Sequence, residues 1–595
     1  MYSVREHIAS LDRARMALYA ITFAALNVFS LIAGSLLLLF AGTYIFTLIR
    51  FQLTLRTFQN EKGGQNLQAP PLPIAIPWLG NARSFLTTEP HGFWKRLFSW
   101  LPQSTGACAM LMGGEHATVI YNATSVQYIM KDRKMGRDNF TEMIARDGLG
   151  VTKPELVKFF GHNTGAKPGE ISSHELQDRM NLEYLLKADR VNELTQEFSN
   201  TFQRDLAHQF ESGPEEVELY KWLRGLMFTA STTALWGNRV LELIPDLDQY
   251  FFQFDQDMLY LFFRIPRFWI PQKYKNRDAA IEQLCRWYDV ANTELGGKIP
   301  DPEEVAWEPC YGSRLSRARQ VFFRKLGLEQ CSMASFELGF LFGLSSNAIP
   351  ATGWMLTYII DSVRPENKAK GETTLYEYIL AEVNEAVNAD GTLNIALLIN
   401  QPILQSTLNE VLRSRVDVLV SRQVTEGDVT LPLPPASSVK SSQRSLLVKK
   451  GSLIMMPSYL AHNDPTAWQY EFPHHPPPEV FYPYRFLTTH PADTAPGQRP
   501  KFTTAHTTGS FFPFGGGKTM CPGRTFAKQE MLAAVAMVLL TFEFEFVNFV
   551  DEKGRATEEF PGLRDTFPGS AVMVASGDVR VRMKRRDRRG AETAM

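Results

Sequence analysis

The chain has 595 residues, of which 44% are hydrophobic and 12% aromatic, and a formal net charge of -1. This composition indicates a globular protein with a large core and shows no overall bias toward nucleic acid. The 5 cysteines are scattered, with no Cys-x-x-Cys pair and no histidine cluster at metal-ligand spacing. Neither a disulfide framework nor a zinc site is therefore predicted, and we expect the main part of the chain to face a reducing compartment.

The first predicted element is a membrane-spanning helix. No charged residue lies between Arg15 and Arg50, and the stretch FSLIAGSLLLLFAGTYIFTLI exceeds the roughly 20 apolar residues that cross a bilayer. The alternatives are a cleaved signal peptide, whose apolar region has only about 7–15 residues, and a buried core helix, which would need partners on every side. We predict that residues 1–50 form an N-terminal segment with a single-span anchor. Arginines on both flanks leave its orientation open.

Residues 51–83 are predicted to form a linker. A polar stretch, QNEKGGQNLQ, is followed by APPLPIAIPWLGN, in which four prolines favour an extended and stiff backbone. This segment would hold the body of the protein at a set angle to the membrane. An ordinary proline-rich linker is the alternative.

Residues 84–582 are predicted to form one large, mainly α-helical domain with small β-sheets, because three-to-four spacing of apolar residues dominates. Helices are predicted within residues 193–210, 261–270 and 374–387. Strands are predicted within residues 116–122, 445–458 and 579–583. Residues 431–445 are predicted to be an exposed hairpin loop. Residues 583–595 are predicted to be a basic tail, either solvated or in contact with anionic lipid.

Near the C-terminus, the sequence FFPFGGGKTMCPGRTFAKQEM places Cys521 between a glycine-rich loop and a predicted helix that starts near Arg524. Gly517 and Gly523 allow the backbone to turn around the sulfur, and the helix dipole points at it. Both effects favour a thiolate that can serve as an axial ligand of haem iron, with Phe514 shielding it from water. A buried structural cysteine at a turn is the alternative.

Four motifs together resemble the haem-thiolate monooxygenases, the cytochrome P450 superfamily. They are the proline-rich segment, Glu410-x-x-Arg413, Arg485 in FYPYRFL and the Cys521 loop, and the resemblance extends from the anchor to about residue 580. On its own the Glu410 and Arg413 pair is typical of a surface ion pair. The resemblance implies a single P450-like domain with haem b bound through Cys521. It also implies a buried ion network of Glu410, Arg413 and Arg485 under the haem.

The resemblance is strongest to the branch that contains the sterol 7α- and 12α-hydroxylases and prostacyclin synthase. It rests on LVSRQVTEGDVTL, MMPSYLAHNDPTAWQYEF, PEVFYPYRFL and FGGGKTMCPGRTFA. FGLSSNAIPATGW matches as well, because that branch carries an Asn with a Pro three residues later in its central helix. The resemblance implies that Arg422 contacts a haem propionate, and an ordinary surface arginine on a strand is the alternative.

The predicted central helix contains Pro350, whose missing N–H should bend the helix beside Asn347. A polar notch would then let Ser345, Ser346 and Asn347 bind dioxygen, water or a substrate oxygen. A plain proline kink with satisfied side chains is the alternative. Ser346 and Asn347 are the candidate catalytic residues. Most of the family has an acidic residue and a Thr at these positions, so proton delivery must differ, because an Asn cannot release a proton.

A second difference from the family concerns the haem propionates. Thr519 stands where the family usually has a basic residue, two positions before the ligand. A Trp-x-x-x-Arg pattern is also missing from the region where the family has its early propionate-binding helix. His174 and Arg179 are the candidates for that role.

The resemblance implies a single-pass enzyme of the endoplasmic reticulum membrane with a cytosolic catalytic domain. It would oxidise a lipophilic substrate, a sterol or terpenoid of sterol or secondary metabolism, with electrons from NADPH through a flavoprotein reductase. No nucleic-acid partner is expected. The alternative is an oxygen-independent isomerase or dehydratase of the prostacyclin synthase type, which the missing acid–alcohol pair keeps open. A haem-binding sensor or carrier without turnover is a third possibility, which a thiolate ligand disfavours.

Overall fold

The computed structural model describes residues 2–59, 66–101, 105–132, 135–136, 138–161, 173–368, 371–434, 444–465, 467–468, 475–495, 498–517 and 520–586.

The chain begins with a single long helix, α1 (Tyr2–Gln59), of 58 residues. At 1.5 Å per residue it is about 87 Å long, far more than the roughly 30 Å of a bilayer's hydrocarbon core. The part from Leu18 onward is apolar enough to cross a membrane, and its most apolar stretch is not buried against the rest of the chain. This helix indicates membrane anchoring.

The end of α1 belongs to the folded body. Phe51, Leu55 and Phe58 are buried, and their spacing places them on one face of the helix. Residues 51–59, which we predicted to start a linker, are therefore the last turns of α1. The proline-rich segment is also not a free spacer, because Leu72 donates its backbone N–H to Ala109 at 2.8 Å and pairs with a strand.

The helices that follow α1 account for most of the body. They are α2 (Ala82–Phe85), α3 (Gly92–Trp100), α4 (Ala123–Lys131), α5 (Asp138–Met143), α6 (Lys153–Phe160), α7 (Ser173–Leu186), α8 (Ala188–Ala207), α9 (Leu219–Trp236), α10 (Arg239–Leu243), α11 (Leu247–Phe262), α12 (Pro271–Glu294), α13 (Arg314–Lys325), α14 (Gln330–Asp361), α15 (Leu375–Glu385), α16 (Ile395–Leu398), α17 (Pro402–Ser414), α18 (Ser458–His462) and α19 (Arg524–Thr541). A turn of π-helix (Ile144–Gly148) follows α5, and a turn of 3-10 helix (Pro491–Asp493) precedes α19.

The strands are short and form small sheets. They are β1 (Ala107–Met112), β2 (Glu115–Ile120), β3 (Met135–Gly136), β4 (Glu215–Glu218), β5 (Trp307–Glu308), β6 (Gly312–Ser313), β7 (Val416–Asp417), β8 (Leu419–Val424), β9 (Val429–Leu433), β10 (Arg444–Val448), β11 (Leu453–Pro457), β12 (Phe542–Val550), β13 (Ala556–Thr557), β14 (Ala571–Val572) and β15 (Asp578–Arg585). The larger sheets have the strand orders β1-β2-β11-β8-β3 and β13-β12-β15-β4, and β9/β10, β7/β14 and β5/β6 form separate two-stranded sheets. The predicted class, mainly α with small sheets, is confirmed.

The predicted elements are mostly present. Residues 193–210 lie largely in α8, and residues 374–387 contain α15. Thr374 is the N-cap of α15 and forms a reciprocal capping box with Glu377. Strands β2, β10, β11 and β15 lie within or across the predicted strand segments. β9 and β10 pair antiparallel, as the flanks of a hairpin should, whereas residues 435–443 of its loop lie outside the described residues.

Two further expectations from the sequence differ from the structure. Residues 261–270 do not form a helix, because α11 ends at Phe262, Arg264 has a φ of 56° and Pro266 cannot donate a helical hydrogen bond. The domain also extends beyond residue 582. Strand β15 runs to Arg585 along β12, and the side chain of Arg586 donates to the carbonyl of Leu539 at 2.9 Å. The remaining tail residues, 587–595, lie outside the described residues.

The central helix α14 has 32 residues and is buried over most of its length. It packs against α9, α12 and α19. Because α19 follows the Cys521 loop directly, this packing fixes the loop relative to the central helix.

Candidate active site

The Cys521 loop ends at the start of α19, with Gly523 as the helix N-cap. Cys521 is half-buried, its backbone N–H donates to the Phe514 carbonyl at 2.9 Å, and Arg524 donates to the Cys521 carbonyl at 2.9 Å. The sulfur lies 3.8 Å from the point that a Cβ on Gly523 would occupy. It therefore sits at a helix N-terminus, where backbone N–H groups stabilise a thiolate.

Two glycines of the loop allow it to press against the end of α4. A Cβ on Gly517, whose φ is +62°, would lie 2.0 Å from the carbonyl oxygen of Met130, and a Cβ on Gly516 would lie 2.2 Å from the Met130 sulfur. Any side chain here would push the loop away from α4. Phe514 packs against the main core, whereas Thr519 lies outside the described residues.

The structure brings Glu410, Arg413 and Arg485 together with no exposure of their side chains. Arg413 donates to both Glu410 oxygens, through Nε at 2.7 Å and Nη2 at 2.8 Å. Arg485 donates through Nε to the same two oxygens at 3.2 Å. Its Nη groups are satisfied by backbone carbonyls, including those of Pro476 at 3.0 Å and Val480 at 2.9 Å. One carboxylate thus contacts two buried cations and balances one of their two positive charges, and backbone oxygens accept from the other guanidinium nitrogens.

His462, at the end of α18, links this network to the Cys521 loop and was not predicted from the sequence. Its backbone carbonyl accepts from Arg413 Nη1 at 2.9 Å, and its ring Nδ1 lies 3.2 Å from the Arg413 carbonyl. Ring Nε2 accepts the backbone N–H of Phe512 at 3.0 Å. Burial, reinforced by Arg413, lowers the pKa of His462 to about 3, so the ring is neutral and can both donate and accept. The segment PSYLAHND contains it, but spacing alone gives a buried histidine no signal.

Arg422 lies on β8 and is buried. Its Nη2 donates to the Gly516 carbonyl at 2.9 Å and its Nη1 to the Ser421 carbonyl at 2.8 Å. A strand far from Cys521 in sequence therefore places a buried positive charge against the cysteine loop. Of the other propionate candidates, Arg179 is exposed on α7, and the side chain of His174 lies outside the described residues.

These donors fit a haem. A cysteine sulfur at a helix N-terminus is a ligand for the iron, and the Arg422 guanidinium can pair with a propionate carboxylate. The loop glycines leave no side chain in the way of the close backbone packing.

The candidate catalytic residues lie on α14, which continues through Pro350 as one helix. Ser346 donates its hydroxyl to the Phe342 carbonyl one turn earlier. Asn347 accepts the backbone N–H of Val572, on β14, through Oδ1 at 3.3 Å. The amide nitrogen of Asn347 therefore points away from Val572. The Ser345 hydroxyl is buried and has no hydrogen-bond partner among the described residues. Polar groups thus interrupt an apolar helix at this point.

A cavity of about 370 Å³ adjoins this part of α14. Its lining includes Phe342 and Ser346 of α14, the start of β8, the segment Arg564–Val574 and residues of α11. Many of the side chains are apolar, among them Met258, Leu259, Phe263, Val418, Leu419 and Phe567. Ser346 is the residue through which the predicted polar notch meets this cavity.

Charged groups also line the cavity, namely Asp255, Lys273, Arg564 and Asp565. Lys273 is paired with Asp257 at 2.5 Å. Burial raises the pKa of Asp255 to about 6, an effect that the charges of Arg564 and Arg224 oppose. Within the described part of the chain Asp255 forms no ion pair, so its carboxyl group faces the cavity without a fixed partner.

Comparison with known proteins finds similarity to cytochrome P450 monooxygenases. The cytochrome P450 family model matches residues 373–563. The chain is 27% identical to cytochrome P450 monooxygenase calL of Penicillium decumbens over 533 residues, which cover 88% of this chain and 94% of that protein. It is 26% identical to cytochrome P450 monooxygenase fsoE of Humicola fuscoatra over 592 residues, covering 93% and 95%.

A mammalian protein is less similar. The 7-alpha-hydroxycholest-4-en-3-one 12-alpha-hydroxylase of Oryctolagus cuniculus is 23% identical over 532 residues, covering 87% of this chain and 93% of that enzyme. The family implies a haem-thiolate cofactor, a redox partner and a small-molecule substrate. P450 monooxygenases align along nearly the whole chain, the family model matches residues 373–563, and the fold is mainly helical with small sheets; together these findings support a cytochrome P450 monooxygenase.

Proposed function

We propose that the chain is a membrane-anchored monooxygenase that oxidises a lipophilic substrate, a sterol or terpenoid of secondary metabolism. The main observation that supports this proposal is the cavity of about 370 Å³ beside Ser346. Its apolar walls suit a compact hydrocarbon skeleton, because burial of apolar surface is the main source of affinity in such sites. The similarity to a sterol 12-alpha-hydroxylase supports the sterol alternative, and the fungal relatives leave the terpenoid one equally open.

The Cys521 thiolate is the proposed iron ligand, with Phe514, Gly517 and Gly523 shaping the loop around it. Arg422 is the proposed partner of a propionate, since its buried guanidinium already lies against the Gly516 carbonyl. When bound, haem b supplies the activation of dioxygen that the side chains of the protein lack. The chain's own contribution is to keep the sulfur ionised and dry and to hold the ring by its carboxylates.

Glu410, Arg413 and Arg485 are proposed to position the Cys521 loop without contacting substrate. Their network reaches the loop through His462, which accepts the Phe512 N–H at 3.0 Å. A network with every charge paired is rigid, and a small displacement of an active-site ligand has a large effect on rate. The network is therefore proposed to hold the Cys521 sulfur in an accurate position.

On the cavity side, Ser345, Ser346 and Asn347 are proposed to hold water near the reacting groups. The Ser345 hydroxyl and the Asn347 amide nitrogen can each donate a hydrogen bond, and neither releases a proton at ordinary pH. Protons must therefore pass along ordered water that these donors orient. Asn347 also holds β14 in place through the Val572 N–H. The residue proposed to orient water therefore also positions a strand that lines the cavity.

The substrate is proposed to carry at least one hydroxyl or carboxyl group. Asp255 and Arg564 line the same cavity, and Asp255 has no fixed ion-pair partner in the described chain. The Asp255 carboxyl group is therefore available to bond a hydroxyl group of the substrate, and Arg564 can donate to a carboxylate. The polar end of the molecule would then lie near α11 and its apolar body near α14.

Access from the bilayer is supported by the segment between α11 and α12. Phe268 and Trp269 are 76% and 69% exposed, and aromatic side chains favour the membrane interface. The same region continues from α11, whose Tyr260 and Phe262 line the cavity. With α1 as anchor, we propose a single-pass protein of the endoplasmic reticulum membrane whose cytosolic domain receives electrons from an NADPH-dependent flavoprotein reductase.

The test is untargeted mass spectrometry of membranes that contain the protein, supplied with a lipid extract under isotope-labelled dioxygen. We expect a product that carries one labelled oxygen and forms only with both NADPH and the reductase. A matched sample with the Cys521→Ala variant should give none. An unlabelled product isomeric with its precursor, formed without NADPH, would instead support the isomerase alternative.

A further inference from the structure

Two thiols outside the candidate active site meet on one side of the molecule. Cys285 lies on α12 and Cys331 in the first turn of α14, and their Sγ atoms are 3.2 Å apart. Cys331 is exposed and Cys285 is half-buried, whereas Cys108 and Cys310 are buried. A small oxidant in solution can therefore reach this pair before it reaches those two buried thiols.

We propose that Cys285 and Cys331 are a modification site, at which a reversible disulfide joins α12 to α14. A disulfide has an S–S bond of about 2.05 Å, so the two sulfurs must approach by about 1 Å from their present 3.2 Å. The surrounding backbone is already held in place. Gln330 donates through Nε2 to the Cys285 carbonyl at 2.7 Å and to Asp289 Oδ1 at 2.9 Å.

The reaction needs an oxidant, for which hydrogen peroxide is sufficient. The exposed Cys331 sulfur attacks the peroxide, the O–O bond breaks, and a sulfenic acid forms as hydroxide leaves. The Cys285 sulfur then attacks the Cys331 sulfur, the S–S bond forms and a second hydroxide leaves. The two hydroxides and the two thiol protons become two water molecules, so two thiols lose two electrons to one peroxide. A dithiol reverses the reaction by exchange.

The surroundings of Cys285 fit this order of events. Burial, the contact with Cys331 and the neighbouring carboxylates of Asp289 and Glu282 raise the pKa of Cys285 to about 12. Cys285 therefore remains a thiol until its partner has been oxidised. In the reducing compartment expected for this domain such a disulfide would be transient, which is typical of redox-sensing pairs.

A crosslink at this point would connect two walls of the cavity. α14 contributes Phe342 and Ser346 to the lining, α12 contributes Lys273, and α12 packs against α11, which contributes further lining residues. A covalent bond between α12 and α14 should limit how far α11 and α12 can separate from α14. We expect oxidation to slow the local opening of residues 247–294.

The first test uses the full chain in lipid nanodiscs, treated with hydrogen peroxide and digested without a reducing agent. We expect a crosslinked peptide that contains Cys285 and Cys331, about 2 Da lighter than the two thiol peptides together, which dithiothreitol separates. Cys285→Ser and Cys331→Ser should abolish it, and Cys310→Ser should retain it. Cys331 is exposed, so its variant keeps the test valid even if Cys285→Ser does not fold.

The second measurement is hydrogen–deuterium exchange of residues 247–294 in oxidised and reduced protein. We expect severalfold slower exchange in the oxidised wild type and no such difference in Cys331→Ser. Sulfinic acid on Cys331 with a Cys285 that still reacts with iodoacetamide would overturn the disulfide. A crosslink that leaves the exchange unchanged would overturn its effect on the cavity walls.

Discussion

The two sides of the candidate active site are built differently. On the cysteine side, the charges of Glu410, Arg413 and Arg485 are completely buried and paired. On the cavity side, the Ser345 hydroxyl and the Asp255 carboxyl group lack fixed partners in the described chain. A site that must hold one cofactor needs every polar group satisfied, whereas a site that must admit a substrate keeps polar groups available.

The largest expected effect is at the cysteine itself. Cys521→Ser replaces the proposed iron ligand with a hydroxyl, which is a far weaker donor for this metal than a thiolate. We expect complete loss of the thiolate-type absorption of the reduced carbon monoxide complex. Cys331→Ser, at an exposed cysteine, should leave that spectrum unchanged. A thiolate spectrum that persists in Cys521→Ser would show that another residue binds the iron.

The next largest effect is expected when the buried network loses its carboxylate. Glu410→Gln leaves two buried arginines without a counter-charge, and breaking a buried ion pair costs about 3–5 kcal/mol. We expect this loss in the free energy of unfolding, measured by chemical denaturation, together with a lower haem content. The control is Glu385→Gln, at a surface pair with Arg499 of 2.7 Å, which should cost at most about 1 kcal/mol. Equal effects of the two variants would contradict the proposed network.

The fold and the cysteine side could largely be predicted from the sequence, and for a physical reason. Helical spacing, the Glu410-x-x-Arg413 pair and the loop around Cys521 are local patterns, so each is visible in a few consecutive residues. The role of His462 is not local, because it depends on contacts with Arg413 and Phe512 that are distant in sequence. Packing against distant segments also decided where α1 ends and how far β15 extends.

The cavity side was much less predictable. Ser346 and Asn347 could be singled out because polar residues beside a proline interrupt an apolar helix. The partner of Asn347 is Val572, 225 residues away, and Asp255 and Arg564 meet only through the tertiary fold. No periodicity in a single sequence records such pairs.

The contribution of His462 to the stability of the cysteine side should depend on pH. His462→Phe leaves the Phe512 N–H and the Arg413 carbonyl without their ring partners, which costs about 1–3 kcal/mol for each buried group. Because the pKa of His462 is about 3 in the folded protein and 6.5 ordinarily, only the unfolded chain takes up a proton between these values. The contribution of His462 is therefore complete above pH 6.5 and is lost as the pH falls toward 3.

The measurement is the free energy of unfolding of wild type and His462→Phe at several pH values. We expect the difference between the two proteins to be largest above pH 6.5 and to shrink at lower pH. His208→Phe is the control, because His208 is exposed and pairs with Glu211, at 3.3 Å, on the surface. A difference that grows as the pH falls would contradict a neutral, accepting ring.

Arg564 tests the proposed polar end of the substrate. Arg564→Gln removes a charged donor from the cavity lining, and a hydrogen bond to a charged group contributes about 1.5–3 kcal/mol. Once the substrate is identified, we expect its Kd to rise about tenfold or more, since 1.4 kcal/mol corresponds to a factor of ten. The matched control is an analogue of the substrate without the polar group, whose Kd should be the same for wild type and variant. Equal losses for both ligands would indicate that Arg564 only shapes the cavity.

Asn347 gives the smallest expected effect and the finest test of the cavity side. Asn347→Ala removes the acceptor of the Val572 N–H, which contributes about 0.5–1.5 kcal/mol to stability, and the donor that orients water. Haem content should be unchanged, while the product formed per NADPH consumed should fall by less than the roughly 100-fold of a true proton-relay residue.

Asn347→Asp keeps an oxygen for Val572 and adds a group that can release a proton. Asn347→Asp should restore the stability, because it keeps the acceptor of the Val572 N–H. An ionised carboxylate cannot donate as the Asn amide does, so coupling that equals or exceeds wild type would mean that this carboxyl group relays the proton itself. Unaltered coupling in Asn347→Ala would limit Asn347 to holding β14 in place.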